Sequence, residues 1–304
     1  MIHLVLVAVY LFIGIFFQRI KDFPPNSYIV LNQFVIYVSL PAIALIHIPN
    51  ITLRSDLLFA LMTAWLVLLL AVIIIPLLGK FFDWERGTVG CLILTAGFCN
   101  TSFVGFPVVE ALYGPEALQI GLIVDQPGSF VAISSMGIVI ASVYSAGKTR
   151  KRQILKQVLY FPPFIAFVIA LIMNFANVQA TGYLLGVLER LAATLAPVAL
   201  ISVGLQLKIN MTGQSLIPLI FGLGYKLFIA PLFLFVLYIL LLSGSGLEVI
   251  VSIMMAAMAP MVTGAILAGT YGLNPRLASI MVGIGIPLSF LTLALWYFFL
   301  EWWL

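Results

Sequence analysis

Ala96-Gly-Phe-Cys-Asn-Thr-Ser-Phe-Val-Gly-Phe-Pro107 lies inside an apolar run from Gly90 to Leu112. Such a run is long enough to cross a bilayer, which takes about 20 residues at a rise of about 1.5 Å each. Its middle nevertheless carries Gly97, Asn100, Thr101, Ser102, Gly105 and Pro107. Proline lacks the amide proton and clashes with the preceding turn, and glycine costs about 1 kcal/mol in a helix interior. In hydrocarbon a freed backbone group finds no water, so a break survives only against protein or a wet cavity. The stretch therefore reads as a discontinuous membrane helix whose broken middle lines a site. Taken alone, it also fits a proline-kinked structural helix without a ligand.

The surrounding composition sets the solvent. Of 304 residues, 63% are apolar and only 8% charged, against about 25% charged in a soluble domain. The chain is thus expected to be an all-α integral membrane protein, without a sizeable domain outside the lipid. The net charge of +4 is no signal for nucleic acid, because most basic residues fall in short connections; membrane lipid is the expected surface partner. Cys91 and Cys99 sit roughly 12 Å apart along one helix axis, too far for a disulfide. They are expected as free thiols. The first apolar run has no basic residue before it, and Arg19 and Lys21 follow it, so it reads as a retained first helix with its N-terminus outside.

Ten spans can be marked, at 2–17, 29–48, 57–79, 88–112, 117–145, 160–176, 183–207, 215–242, 248–272 and 276–300. With both termini outside, the inner connections hold Arg19, Lys21, Lys80, Arg86, Lys148, Arg150, Lys151, Arg152, Lys156, Lys208 and Arg276. The outer connections hold Arg54 and Arg190. That asymmetry is the positive-inside pattern. The basic stretch Gly147-Lys-Thr-Arg-Lys-Arg-Gln153 divides the chain and suits a topology determinant in contact with anionic lipid.

The two halves repeat each other. Pro41 pairs with Pro197, Pro76 with Pro231, Tyr113-Gly114 with Tyr271-Gly272, and Pro127 with Pro287, at an offset that drifts by only a few residues. Five spans per half is an odd number, so the halves must be oppositely oriented, as in the inverted repeats of secondary transporters. The expected division is a first repeat at 1–146, a basic linker at 147–158 and a second repeat at 159–304. Met258-Ala-Pro-Met-Val-Thr-Gly264 interrupts span 9 as the opening stretch interrupts span 4. Paired interruptions of this kind point to a binding site near the midplane.

Each break offers a helix N-terminus with unpaired amides and about half a positive charge. Two such ends converging suit an anion. Asn100, Thr101, Ser102 and Thr263 add side-chain donors, and Met258, Ala259, Pro260 and Met261 supply a more apolar side. A small organic anion with a carboxylate head and some apolar body fits that lining. Three charged residues fall inside spans, where they are functional by default. Lys226, near the midplane, is expected as a counter-ion to the substrate or a partner of Asp125. Asp125-Gln126-Pro127 combines an acid, an amide and a helix break, and is expected in proton or ion coupling or in shaping the site. Glu110 and His47 read as interfacial. No metal-ligand spacing, phosphate loop or hydrolase triad is present. The chain is thus not expected to be an enzyme, and no cofactor is expected beyond a coupling H⁺ or Na⁺.

Asn100-Thr-Ser-Phe-Val-Gly-Phe-Pro107, Leu40-Pro41-Ala42, Lys226 with Pro231, and Ala259-Pro260 followed by Tyr271-Gly272 resemble the auxin efflux carrier family. That family includes bacterial malate or malonate permease-like transporters and the plant auxin exporters. The likeness spans essentially the whole chain. It implies ten transmembrane helices in two inverted five-helix repeats with crossed discontinuous helices, the fold of bile-acid/sodium symporters. It further implies a scaffold domain of spans 1, 2, 6 and 7, a transport domain of spans 3–5 and 8–10, and elevator-type transport of organic anions across the plasma membrane. Plant members carry Asn-Pro at both crossings. Here Thr101 follows Asn100, and Met258-Ala259-Pro260 replaces the second pair, so the auxin specificity does not transfer. The alternatives are an H⁺- or Na⁺-coupled carrier of the same fold and a ligand-binding membrane sensor without transport. Glycine- and alanine-rich faces would permit a homodimer.

Overall fold

The computed structural model describes residues 2–24, 26–50, 55–145, 162–206 and 216–303. The basic linker at 147–158, with Lys208 and Arg54, lies outside the described residues. Among these residues the chain's regular structure is helical, without a named strand. Its helices are α1 (Ile2–Phe17), α2 (Ser27–Asn50), α3 (Leu57–Phe81), α4 (Arg86–Ala96), α5 (101–113), α6 (Pro115–Tyr144), α7 (Pro162–Phe175), α8 (Gly182–Ala192), α9 (Leu195–Gln206), α10 (Leu216–Leu241), α11 (Leu247–Ala256), α12 (Val262–Thr270) and α13 (Pro275–Trp303). Six stretches among the described residues are long and apolar enough to cross a membrane: α2, α3, α6, the α8–α9 stretch Gly182–Leu205, α10 and α13. Shorter apolar helices accompany them, among them α4, α7 and α11. This is a multi-pass membrane protein.

Proline shapes these helices without ending most of them. Pro41, Pro107 and Pro231 each follow a wider π-helical turn, at Val35–Ser39, Thr101–Gly105 and Tyr225–Ile229. Such turns absorb the missing i−4 bond. At Pro231 the orphan is the carbonyl of Leu227, four residues back, and the indole N–H of Trp296 in α13 donates to it at 2.9 Å. The unpaired backbone group that proline creates in lipid is thereby satisfied by a neighbouring helix.

The span expected at 183–207 is interrupted at Ala193 and Thr194, between α8 and α9. Pro197 falls in the first turn of α9, where a proline costs least. The Thr194 and Ser39 hydroxyls lie 2.8 Å apart, so this interruption meets α2 beside its own π turn.

Two sets of helices pack among themselves. In one, α1 lies along α9, and α2 is flanked by α7, α8 and α9. At the first of these contacts a methyl group added to Gly14 would overlap the carbonyl of Ile201 and the Cα of Gly204, so the two backbones touch directly. In the other set, α3 packs against α4, α6 and α11, while α4 also meets α10, α12 and α13. Helix α5 belongs to the second set and touches α1 and α9 of the first.

Candidate functional site

Helices α4 and α11 both stop inside the protein, and the segments that follow them meet. Cys99 and Pro260 form an antiparallel bridge. The Asn100 N–H donates to the carbonyl of Ala259 at 3.0 Å, and the Met261 N–H donates to the carbonyl of Thr95 at 3.2 Å. Each break thus supplies the backbone partners that the other lost, which lets extended chain exist away from water. Gly264 makes the approach possible: a methyl group there would overlap the carbonyl oxygen of Leu94, so α12 lies backbone to backbone on α4.

A cavity of about 670 Å³ opens against this crossing. Asn100, Thr101, Ser102, Asp125 and Thr263 supply its polar wall, and aromatic and aliphatic side chains including Tyr37, Leu40, Phe103, Phe130 and Met261 supply the rest. Of the expected polar site residues, Asn100, Thr101, Ser102, Asp125 and Thr263 come together here, while Gln126 lies outside the lining. Asp125 is the one acidic or basic side chain among the described residues of the lining. It is 2% exposed and fully engaged. Its Oδ1 accepts the Thr101 hydroxyl and, at 2.6 Å, the Ser102 hydroxyl, while its Oδ2 accepts the Gln126 side-chain amide at 2.6 Å. Thr101 and Ser102, expected to serve a bound anion, therefore donate to the protein's own carboxylate.

Among the described residues, one buried donor at the crossing stays uncommitted. Asn100 is 2% exposed, and its Nδ2 has no hydrogen-bond partner among the described residues. The same holds for Gln126 Oε1 and Ser129 Oγ, both on the π-helical segment Val124–Phe130 that carries Asp125. A buried polar atom left unpaired costs about 1–3 kcal/mol; of the three residues, Asn100 borders the cavity, while Gln126 and Ser129 lie outside its lining.

Other expected residues lie elsewhere. Met258 and Ala259 are fully buried, and with Pro260 they stay outside the cavity lining; their part in the crossing is made by the backbone. Lys226 is also outside the lining and fully buried. Its Nζ donates to the carbonyl of Ala256 at 2.9 Å and to the sulfur of Cys99 at 2.9 Å. The residue expected to balance a bound anion, or to pair with Asp125, thus bonds behind the crossing to the ends of the broken helices. The thiols of Cys91 and Cys99 are free and buried.

The expectation of an interfacial role for His47 and Glu110 missed their company. Both line a second cavity of about 430 Å³, together with Tyr10 and Glu189. Leu40 and Phe103 border the first cavity, while Ile43 and Pro107, one turn further along the same helices, border the second. The linings also draw aromatic and aliphatic side chains from α1, α2 and α6, such as Tyr10, Tyr37 and Phe130, which the two breaks alone do not single out.

Comparison with known proteins adds the family. Residues 1–297 match the family described as membrane transport protein. An uncharacterized transporter of Methanocaldococcus jannaschii is 28% identical over 274 residues, 88% of either chain. An uncharacterized transporter of Methanothermobacter thermautotrophicus is 27% identical over 269 residues, 88% of this chain and 87% of that one. Family and relatives alike are transporters rather than enzymes. With its apolar helices and a family match that runs from the first residue nearly to the last, this chain belongs to the membrane transport protein family, that of the auxin efflux carriers.

Proposed function

We propose that the protein is a secondary transporter of small organic anions, carboxylates above all, and that Asn100 at the crossing of the two broken helices receives the carboxylate. The observation that carries this reading is the unpaired Nδ2 of Asn100, buried beside the first turn of α5 and the 670 Å³ cavity. A donor beside a helix N-terminus suits a negative oxygen. The apolar remainder of the lining suits the body of the solute.

The charge of the cavity adds a condition. Asp125 would repel an anion if both were ionised in so dry a place. The reading therefore includes a proton held by Asp125 whenever the anion is bound, its three donors reorganising around the neutral acid. This favours H⁺ coupling over a sensor that binds without moving its ligand.

The fold reading is ten transmembrane helices in two inverted repeats, with both termini on the extracytoplasmic side of the plasma membrane. In it, α1, α2 and α7–α9 form the scaffold and the remaining helices form the transport domain. The two cavities bordering successive turns of α2 and α5 suit alternating access, with the crossing carried between them in an elevator-type motion. The test is flux of labelled mono- and dicarboxylates into proteoliposomes of the purified protein. Saturable flux of at least one acid supports the reading. Binding of an acid, seen as a thermal shift, with no flux would favour the sensor.

A further inference from the structure

Helices α4 and α11 do more than stop near each other. Each ends in carbonyls without helical partners, equivalent to about half a negative charge per end. Two such ends amount to about one elementary charge, held where no water can answer it. Lys226 is fully buried at this place. Its Nζ touches the last residue of α11 through the Ala256 carbonyl at 2.9 Å, and the strand that leaves α4 through the Cys99 sulfur at 2.9 Å. Cys99 Sγ lies 4.0 Å from the same carbonyl, so the thiol can donate there while its sulfur accepts from the ammonium. Among the described residues, no carboxylate is a partner of Nζ. Next to it in sequence, the hydroxyl of Tyr225 donates to the carbonyl of Val67 at 2.5 Å, which fixes the lysine-bearing turn of α10 on α3.

We propose that Lys226 is a tethered cation: its ammonium occupies a monovalent-cation site formed by the C-terminal carbonyl of α11 and the segment that leaves α4, and so holds the crossing together without a dissolved ion. The ammonium meets the partial negative charge at the end of α11, and the attachment to α10 means that no translational entropy is lost in capturing it. Transport by the native protein then needs no Na⁺ at the crossing. Removing the ammonium leaves a vacant site for a small cation of matching charge. The inference is independent of which solute is carried, because the site lies outside the cavity.

The test uses purified protein without substrate, melted at equal ionic strength in choline, sodium, potassium and n-propylammonium chlorides. The native protein is expected to melt at one temperature in all four. Lys226→Ala is expected to melt about 5–10 °C lower in choline. It should recover at least half of that loss, saturably, in n-propylammonium or one of the small metal cations, and none in n-propanol. A Lys226→Ala protein that melts like the native one in choline, or that recovers equally with propanol, overturns the proposal. If Lys226→Ala yields no folded protein in any salt, the native melts decide. Saturable stabilisation of the native protein by Na⁺ would mean that the site is still open to ions and would overturn the proposal. Indifference to all four salts supports it. Carboxylate flux plays no part in these readouts, so they can fail or succeed separately from the transport reading.

Discussion

Ser102 and Asp125 are 23 residues apart in the chain and 2.6 Å apart at the cavity wall, where the hydroxyl donates to the carboxylate. The Thr101 hydroxyl joins it on the same oxygen. A carboxylate that accepts two hydroxyls can give up one of these bonds when it takes a proton and becomes a donor itself. The transport cycle we propose uses that exchange. Asp125→Asn keeps the shape and fixes the neutral state. In proteoliposomes this variant should bind the acid but lose the dependence of flux on an imposed pH gradient. A gradient response equal to that of the native protein would remove Asp125 from the coupling.

Asn100→Ala removes a buried, uncommitted donor at the crossing while leaving its backbone bond to Ala259 in place. A hydrogen bond to a charged group contributes about 1.5–3 kcal/mol, so affinity for the carried acid should fall by roughly 10- to 150-fold. The melting temperature without substrate should hardly move, because Nδ2 has no partner to lose. Substrate thermal shifts and flux measured on the same preparation check both halves of this expectation.

Gly264→Ala places a methyl group against the carbonyl of Leu94. The neighbour is backbone and cannot swing aside. Overpacking of this kind costs about 1–3 kcal/mol, and more where nothing can move. The variant should melt several degrees lower and lose flux together with stability. Normal flux from Gly264→Ala would mean that α12 and α4 need not lie in contact during the cycle.

Trp296→Phe leaves the carbonyl of Leu227 without the indole donor that replaces the one missing at Pro231. The expected loss is about 1 kcal/mol or more for a buried acceptor. In a Pro231→Ala background the helix can supply its own N–H, and the same substitution should then cost measurably less. A double-mutant cycle of unfolding free energies provides the coupling; additivity would show that Trp296 acts by packing alone.

Both breaks were legible in the sequence, because glycine, proline and hydroxyl residues inside an apolar run violate what lipid tolerates. The helix limits were legible to within a few residues for the same reason. The direction of Lys226 was not. Its depth in span 8 follows from counting residues, but the π turn at Tyr225–Ile229 alters the helical phase, and only the neighbours decide whether the side chain enters the cavity or passes behind it. Nor was the capture of the Thr101 and Ser102 hydroxyls by Asp125 legible, since local spacing carries no sign of a contact between different helices. The interruption at Ala193 and Thr194 escaped because neither residue is a strong helix breaker. Its hydroxyl pair with Ser39 is a tertiary event.

Where Gly14 and Gly204 meet, main chain rests on main chain with no side chain between them. Helices in such contact cannot slide past one another without colliding, whereas helices cushioned by long side chains can. In the elevator-type cycle we propose, α1 and α9 therefore act as a fixed rail, and travel falls to other surfaces.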